Sequence, residues 1–232
     1  MSQPLKLSTP RHVGLILDGN RRWAKANGLP ALEGHRAGYS NLKEMAKYAV
    51  NQGVDYVSAY IFSAENWKRS KEEVSYLLDL ALWVATKEVR EVHKEGIRVR
   101  FLGRQQGLSN KLIKAIQKAE ELTKNNKRGT LALCFNYGGQ QEIVDAAQEL
   151  LDTNKTLTLT VEDFSGALYA PDIPSMDLII RTSGEQRLSN FMLWRAAYAE
   201  LYFVKKHWPA FTTDDFDEAL AEFANRQRRF GS

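Results

Sequence analysis

Four clusters of residues in this chain are of types that bind phosphorylated ligands. The first is Asp18-Gly19-Asn20-Arg21-Arg22, directly after the apolar run in "HVGLIL". The second is Ser63-Ala64-Glu65-Asn66-Trp67-Lys68-Arg69, and the third is Asn136-Tyr137-Gly138-Gly139. The fourth is "RTSGEQR", residues 181–187, with Ser189 and Asn190 just beyond. Guanidinium forks, small hydroxyls and the backbone amides of glycine-containing turns at helix starts all donate to phosphate oxygens. Asp18 adds one hard oxygen ligand of the kind magnesium accepts. Together they suit a diphosphate accompanied by magnesium.

Such a site requires four distant segments to meet at one rim. The hydrophobic pattern supplies the means, because strands and helices alternate. Strands are expected in "HVGLILD", "VDYVSAYIFS", "IRVRFLG", "GTLALCFNYGG", "MDLIIRTSGE" and "LYF". Helices are expected over 35–53, over 71–95, over 109–126 with Ser109 as its N-cap, and over 140–152 and 161–169. Two more are expected in "NFMLWRAAYAE" and "TTDDFDEALAEFANRQRRF". Strict alternation predicts one α/β domain spanning residues 1–232, its mostly parallel sheet covered by helices on both faces. Ligands of such sheets lie at the carboxyl ends of the strands, and every cluster above follows a strand.

Composition narrows the function classes. The chain is 44% hydrophobic and 26% charged with a net charge of +4, an ordinary globular balance with a mild preference for anionic ligands. Cys134 is its single cysteine, which excludes an internal disulfide and fits a reducing compartment. The first residues lack the apolar core of a signal peptide, and no uncharged stretch reaches the roughly 18 residues of a membrane span, so a cytoplasmic protein is expected. The acidic "TDDFDE" at 213–218 reads as helix capping by Thr213 with carboxylates placed for the dipole. The basic "NRQRRF" is short and lacks interleaved aromatics, which argues against nucleic acid. The segment 74–85, "VSYLLDLALWVA", is apolar nearly all round except at Ser75 and Asp79. Such a helix either fills a core or lines an apolar tunnel.

The motifs "HVGLILDGNRRWA", "GHRAG", "YIFSAENWKR", "NYGG", "DLIIRTSGEQRLSNFMLW", "YAELYF" and "FANRQRRFG" resemble those of the bacterial undecaprenyl diphosphate synthases, the cis-prenyltransferases. The resemblance runs from about residue 11 to 231, with the motifs in family order. It implies a homodimer, a six-stranded sheet with an apolar tunnel, and magnesium-dependent extension of farnesyl diphosphate by isopentenyl diphosphate. The cis-polyprenyl product, undecaprenyl diphosphate, would go to the membrane for cell-wall synthesis. Peripheral association with the inner membrane face is left open.

Matched position by position, the resemblance assigns Asp18 to magnesium and catalysis. Gly19, Asn20, Arg21, Arg22 and Trp23 fall in the loop that binds the allylic diphosphate, with His35 near it. Ser63, Asn66, Trp67, Arg69 and Glu73 fall in a segment that closes over the substrates, Asn66 with a catalytic part. Arg181, Arg187 and Ser189 match the isopentenyl diphosphate clamp. Glu200 matches a glutamate that reaches the partner subunit's magnesium. Arg229 and Gly231 resemble a C-terminal "RxG" that completes the neighbouring site. Ile61, Leu77, Leu80 and Ala81 match tunnel-lining positions. Asp18, the released diphosphate and a Ser63–Asn66 relay are all candidates for the proton acceptor.

Two positions depart from the family pattern. Position 21 is Arg where many bacterial members have Gly, and position 31 is Ala where an Arg usually grips the allylic diphosphate. Arg21 or Arg36 could supply that charge. A non-catalytic partner subunit of the same fold is the alternative reading. A phosphatase with "DxD" after its first strand is excluded by Asn20.

Overall fold

The structure is a computed structural model that describes residues 9–153 and 158–226. Six strands form one sheet: β1 His12–Ile16, β2 Tyr56–Ser63, β3 Ile97–Leu102, β4 Gly129–Tyr137, β5 Leu178–Arg181 and β6 Glu200–Phe203. Their order is β3-β4-β2-β1-β5-β6, and every pairing is parallel. The mostly parallel expectation thus becomes a wholly parallel sheet.

Period-two alternation sends side chains to two buried faces. Val13, Leu15, Leu131, Leu133, Leu178 and Ile180 face one side. There they meet α2 (Ala31–Asn51), α5 (Asn110–Thr123) and α8 (Thr213–Asn225). Ile16, Ala132, Cys134 and Ile179 face the other side, under Phe191 and Met192. Ser109 caps α5 as expected, accepting from Leu112 N at 3.2 Å. At α8 the cap is Thr212 instead of Thr213, because its hydroxyl and Asp215 form a reciprocal capping box.

Three further departures from the sequence reading have local causes. "DGNRRW" contains a helix of its own, α1 (Asn20–Ala26), packed on α2 where a Cβ at Gly34 would overlap the Asn20 carbonyl oxygen. The helix expected over 71–95 is α3 (Lys71–Trp83) and α4 (Val89–Lys94), joined by a π-helical turn at Val84–Glu88. "NFMLWRAAYAE" forms turns in place of a helix. Asn190 and Met192 have positive φ, and the Arg195 carbonyl accepts from Met176 N, so tertiary hydrogen bonds take the backbone that a helix would use. Helices α6 (Gly139–Thr153) and α7 (Val161–Gly166) complete the fold. No helix among the described residues is long and apolar enough to cross a membrane.

His12, at the start of β1, gives the fold a pH dependence. Its ring is fully buried, with Nδ1 donating to the Pro174 carbonyl at 2.9 Å and Nε2 2.8 Å from the Ser58 hydroxyl. Burial, reinforced by the Arg195 charge, lowers its pKa from 6.5 to about 4. Between those values the unfolded chain binds a proton that the folded chain does not, so acidification destabilises the fold. His12→Gln is expected to be less stable at neutral pH. The gap to wild type should narrow by about 1.4 kcal/mol per pH unit on acidification from pH 6 to pH 5, measured by urea denaturation.

Candidate active site

The strand order reverses between β1 and β5: β1 connects toward β2 on one side, and β5 toward β6 on the other. A crevice therefore opens beyond their carboxyl ends. Asp18 leaves β1 there, and Arg181 is the last residue of β5. Arg181 is buried, and its Nη2 donates to Asp18 Oδ2 at 2.9 Å. Its Nη1 donates to Ser189 Oγ at 2.8 Å and to the Arg187 carbonyl. Arg22, one turn along from Asp18, reaches Asp18 Oδ1 at 3.0 Å. Burial alone would raise the Asp18 pKa, but the hydrogen bonds and charges of Arg181 and Arg22 outweigh it and hold the carboxyl below its usual range. Asp18 is therefore ionised at neutral pH.

The backbone around Asp18 is equally constrained. Its carbonyl accepts from Thr182 Oγ1 at 2.7 Å, Ser183 Oγ at 2.9 Å and Trp208 N at 3.0 Å. Gly19 sits at φ 100°, and a Cβ there would overlap Ser183 Oγ and His207 Nδ1. Left-handed backbone and close approach both require glycine at this position. Glu185 joins the two loops, reaching Arg22 at 3.4 Å and Arg187 at 2.6 Å.

A second charge cluster lies beside the first. Glu73 on α3 accepts from His35 Nε2 at 3.0 Å and Arg69 at 2.7 Å, and Arg21 lies 3.4 Å from its other oxygen. Burial favours the neutral acid, yet the Arg69 charge foremost, then the His35 hydrogen bond and Arg21, keep Glu73 below its usual pKa. For His35 burial again comes first and lowers the pKa, with Glu73 opposing it. Arg21 is helical within α1, so the glycine of other sequences is not needed there for positive φ. Ala31 is the first residue of α2 and lines the same pocket as Arg21 and Asp18.

Two cavities meet at this point. The polar one is open and lined by Asp18, Arg21, Arg22 and Lys25. The apolar one runs under α3 and is lined by Ile61, Leu77, Leu80 and Ala81, the four positions that the family resemblance assigns to a tunnel. Leu17, Asn20, His35 and Arg69 line both. A ligand with an anionic head and a long apolar tail would fill the pair.

The remaining expected residues fall as follows. Asn66 lines the apolar cavity, and its Oδ1 accepts from Ser63 N at 3.0 Å in a local capping box. Trp67 donates to Asn136 Oδ1 at 2.7 Å. Trp23 lines neither cavity. Glu200 is not brought to Asp18 within the chain: it starts β6, opposite Leu178 at the amino end of β5, and pairs with Arg226 at 2.8 Å. Arg229 and Gly231 lie outside the described residues. Sequence reasoning missed Glu185, Thr182, Ser183 and His207 as loop-joining groups; the first three were signalled only by their place in the "RTSGEQR" cluster, and His207 carried no signal.

Magnesium fits the donors present. Among the described residues no three His, Cys, Asp or Glu side chains converge on a metal cage. Magnesium is commonly held by one or two carboxylates together with substrate phosphates, and ionised Asp18 beside an anion pocket would supply the protein's part.

Comparison with known proteins agrees with this geometry. The family model described as "Putative undecaprenyl diphosphate synthase" matches residues 16–231. The isoprenyl transferase of Thermotoga maritima is 50% identical over 225 residues, covering 96% of this chain and 97% of that protein. The trans,polycis-polyprenyl diphosphate synthase of Thermobifida fusca, described as (2Z,6E)-farnesyl diphosphate specific, is 47% identical over 96% of this chain and 80% of that protein. The crystal structure of lavandulyl diphosphate synthase from Lavandula x intermedia, in complex with dimethylallyl diphosphate, superposes with a TM-score of 0.92. It is 35% identical, covering 97% of this chain and 99% of that one.

Asp18 lies in a loop, so its loss should leave the secondary structure in place, at a lower melting temperature because buried Arg181 loses its charged partner, while abolishing the metal response. Magnesium diphosphate is expected to raise the melting temperature of wild type more than diphosphate alone, through linkage. In Asp18→Ala the increment due to magnesium should vanish, with the far-UV circular dichroism unchanged. An undiminished increment would remove Asp18 from the metal site.

Proposed function

That the chain belongs to the undecaprenyl diphosphate synthase family of cis-prenyltransferases is the premise from which we propose a specific activity: it extends farnesyl diphosphate with isopentenyl diphosphate to undecaprenyl diphosphate, the lipid-carrier precursor for cell-wall polysaccharide. The observation that carries this reading is the junction of the anion pocket with the apolar cavity at Leu17, Asn20, His35 and Arg69. The apolar lining continues beyond this cavity, past Tyr39, Leu42 and Val84 to Val92, Val99 and Ala119, a direction in which a long product could extend.

In this reading Arg21, Arg22 and Arg69 bind the allylic diphosphate, and Arg181, Arg187 and Ser189 bind the isopentenyl diphosphate. Asp18 stands between the two sets, paired to a member of each. The two heads are thus held side by side, which brings the allylic C1 and the isopentenyl double bond to contact distance. Magnesium bound with Asp18 supplies positive charge against the departing diphosphate. The C1–O bond breaks, the new C–C bond forms, and a C2 proton leaves to Asp18, the released diphosphate or the Ser63–Asn66 pair. Glu200 and the C-terminal residues act across a homodimer, a role supported by the edge position of β6 and the exposed Tyr198 and Leu201 next to Glu200. The protein works at the cytoplasmic side of the membrane that receives its product.

Incubation with farnesyl diphosphate, labelled isopentenyl diphosphate and magnesium should give labelled 55-carbon lipid on sizing. Absence of any labelled lipid would sink the reading, and uniformly short products would replace it with a short-chain synthase.

Arg21 is poised to replace the arginine absent at position 31, since both positions line one pocket. A charged hydrogen bond is worth roughly 1.5–3 kcal/mol. Arg21 is 59% exposed and shares Glu73, so the low end applies. Arg21→Gly should raise KM for farnesyl diphosphate about tenfold with KM for isopentenyl diphosphate nearly unchanged, and adding Ala31→Arg should recover most of the loss. A change within twofold would mean that Arg21 does not compensate.

A further inference from the structure

Asn190 belongs to none of the substrate contacts above, yet three strand-end segments converge on it. It follows β5, and its Nδ2 donates to Glu65 Oε1, beyond β2, at 3.1 Å. Its Oδ1 accepts from Gln140 N at 2.8 Å, and its carbonyl accepts from Gly139 N at 2.7 Å. Both amides belong to the first turn of α6, beyond β4, where N–H groups have no partner inside the helix. Asn190 also sits at φ 67°, and its neighbour Ser189 at φ 49°. Asparagine tolerates that left-handed backbone better than most residues. Ser189 is the residue whose hydroxyl accepts from Arg181.

We propose that Asn190 is a positioning residue for isopentenyl diphosphate: by fastening the β5 loop to Glu65 and to the start of α6, it sets Ser189 and Arg187 against Arg181. The inference rests on the reading of Arg181, Arg187 and Ser189 as the isopentenyl diphosphate site. Both partners of the side-chain amide are needed, because it uses a donor on one side and an acceptor on the other. Glu65 suits the donor: its carboxyl is held below its usual pKa, since hydrogen bonds from its own backbone, Asn190 and Ser63 outweigh burial. Of the farnesyl diphosphate contacts, Arg21 and Arg22 lie on α1, apart from this knot, and Arg69, four residues beyond Glu65, is held separately by Glu73 of α3, so loosening the knot acts first on isopentenyl diphosphate.

The test exchanges the donor and acceptor. Asn190→Asp sets a carboxylate against Glu65 while keeping the acceptor for Gln140 N. It should raise KM for isopentenyl diphosphate at least tenfold, leave KM for farnesyl diphosphate within twofold, and lower kcat less than it raises that KM. Adding Glu65→Gln returns a donor from the opposite side, and should bring the isopentenyl KM back to within about threefold of wild type. Asn190→Gly, which keeps the backbone freedom and removes the amide, should show the same selective rise if Asn190→Asp does not fold. An isopentenyl KM within twofold of wild type in folded single variants overturns the inference alone, as does a parallel rise of both KM values or a double variant without recovery. A wild type that incorporates no isopentenyl unit overturns the underlying reading and this inference with it.

Discussion

The site depends on one buried guanidinium. Arg181 ends β5 with almost no exposure, and a buried charge is tolerable only if it is paired and hydrogen-bonded. Its partners are Asp18, Ser189 and the Arg187 carbonyl, which lie on the two loops flanking the crevice. Satisfying that single charge therefore fixes the relative position of the β1 and β5 loops. Its Nε has no hydrogen-bond partner among the described residues, so the terminal nitrogens carry the pairing. Removing Asp18 leaves Arg181 with neutral acceptors alone.

The same economy governs the neighbouring cluster. Asp18, Glu73 and Glu185 are shared among Arg21, Arg22, Arg69, Arg181 and Arg187. Cations outnumber carboxylates in that set, which leaves the pocket electropositive while holding each arginine in place. Preorganised charge of this kind needs little rearrangement when an anion arrives. The apolar wall begins at once below, so a head and tail of opposite polarity are separated by the width of a few side chains.

Much of this was legible in the sequence, and the misses have physical reasons. Strand types and the residues at their ends follow from alternation and from the α/β rule for ligand position. The four tunnel residues, assigned by the family resemblance, line one cavity wall. What failed was local: α1 was hidden because "DGNRRW" has too few apolar residues for a visible stripe. The segment 190–199 has a helical composition but spends its hydrogen bonds on Glu142, on Met176 and on turn carbonyls, through Arg195. Glu73 read as part of a closing segment, and only the fold shows that it meets His35 across α2. Glu200, which the resemblance assigns to the partner subunit's site, lies at the amino end of β6, away from Asp18 of its own chain.

The π-helical turn at Val84–Glu88 has a consequence for how this wall can change over evolutionary time. Leu77, Ala81, Ala85 and Val89 are all buried, at a constant spacing of four. In a regular helix, with about 3.6 residues per turn, that spacing drifts by about 40° at each step. The wider turn absorbs the drift and keeps the lower half of the wall facing the sheet. Loss of one residue there would turn the stretch into a regular helix in which Leu77 and Val89 are separated by about 1100°, three full turns to within about 20°. A single deletion in this stretch would thus keep the wall facing the sheet, so the lineage can vary it here in length as well as in side-chain size.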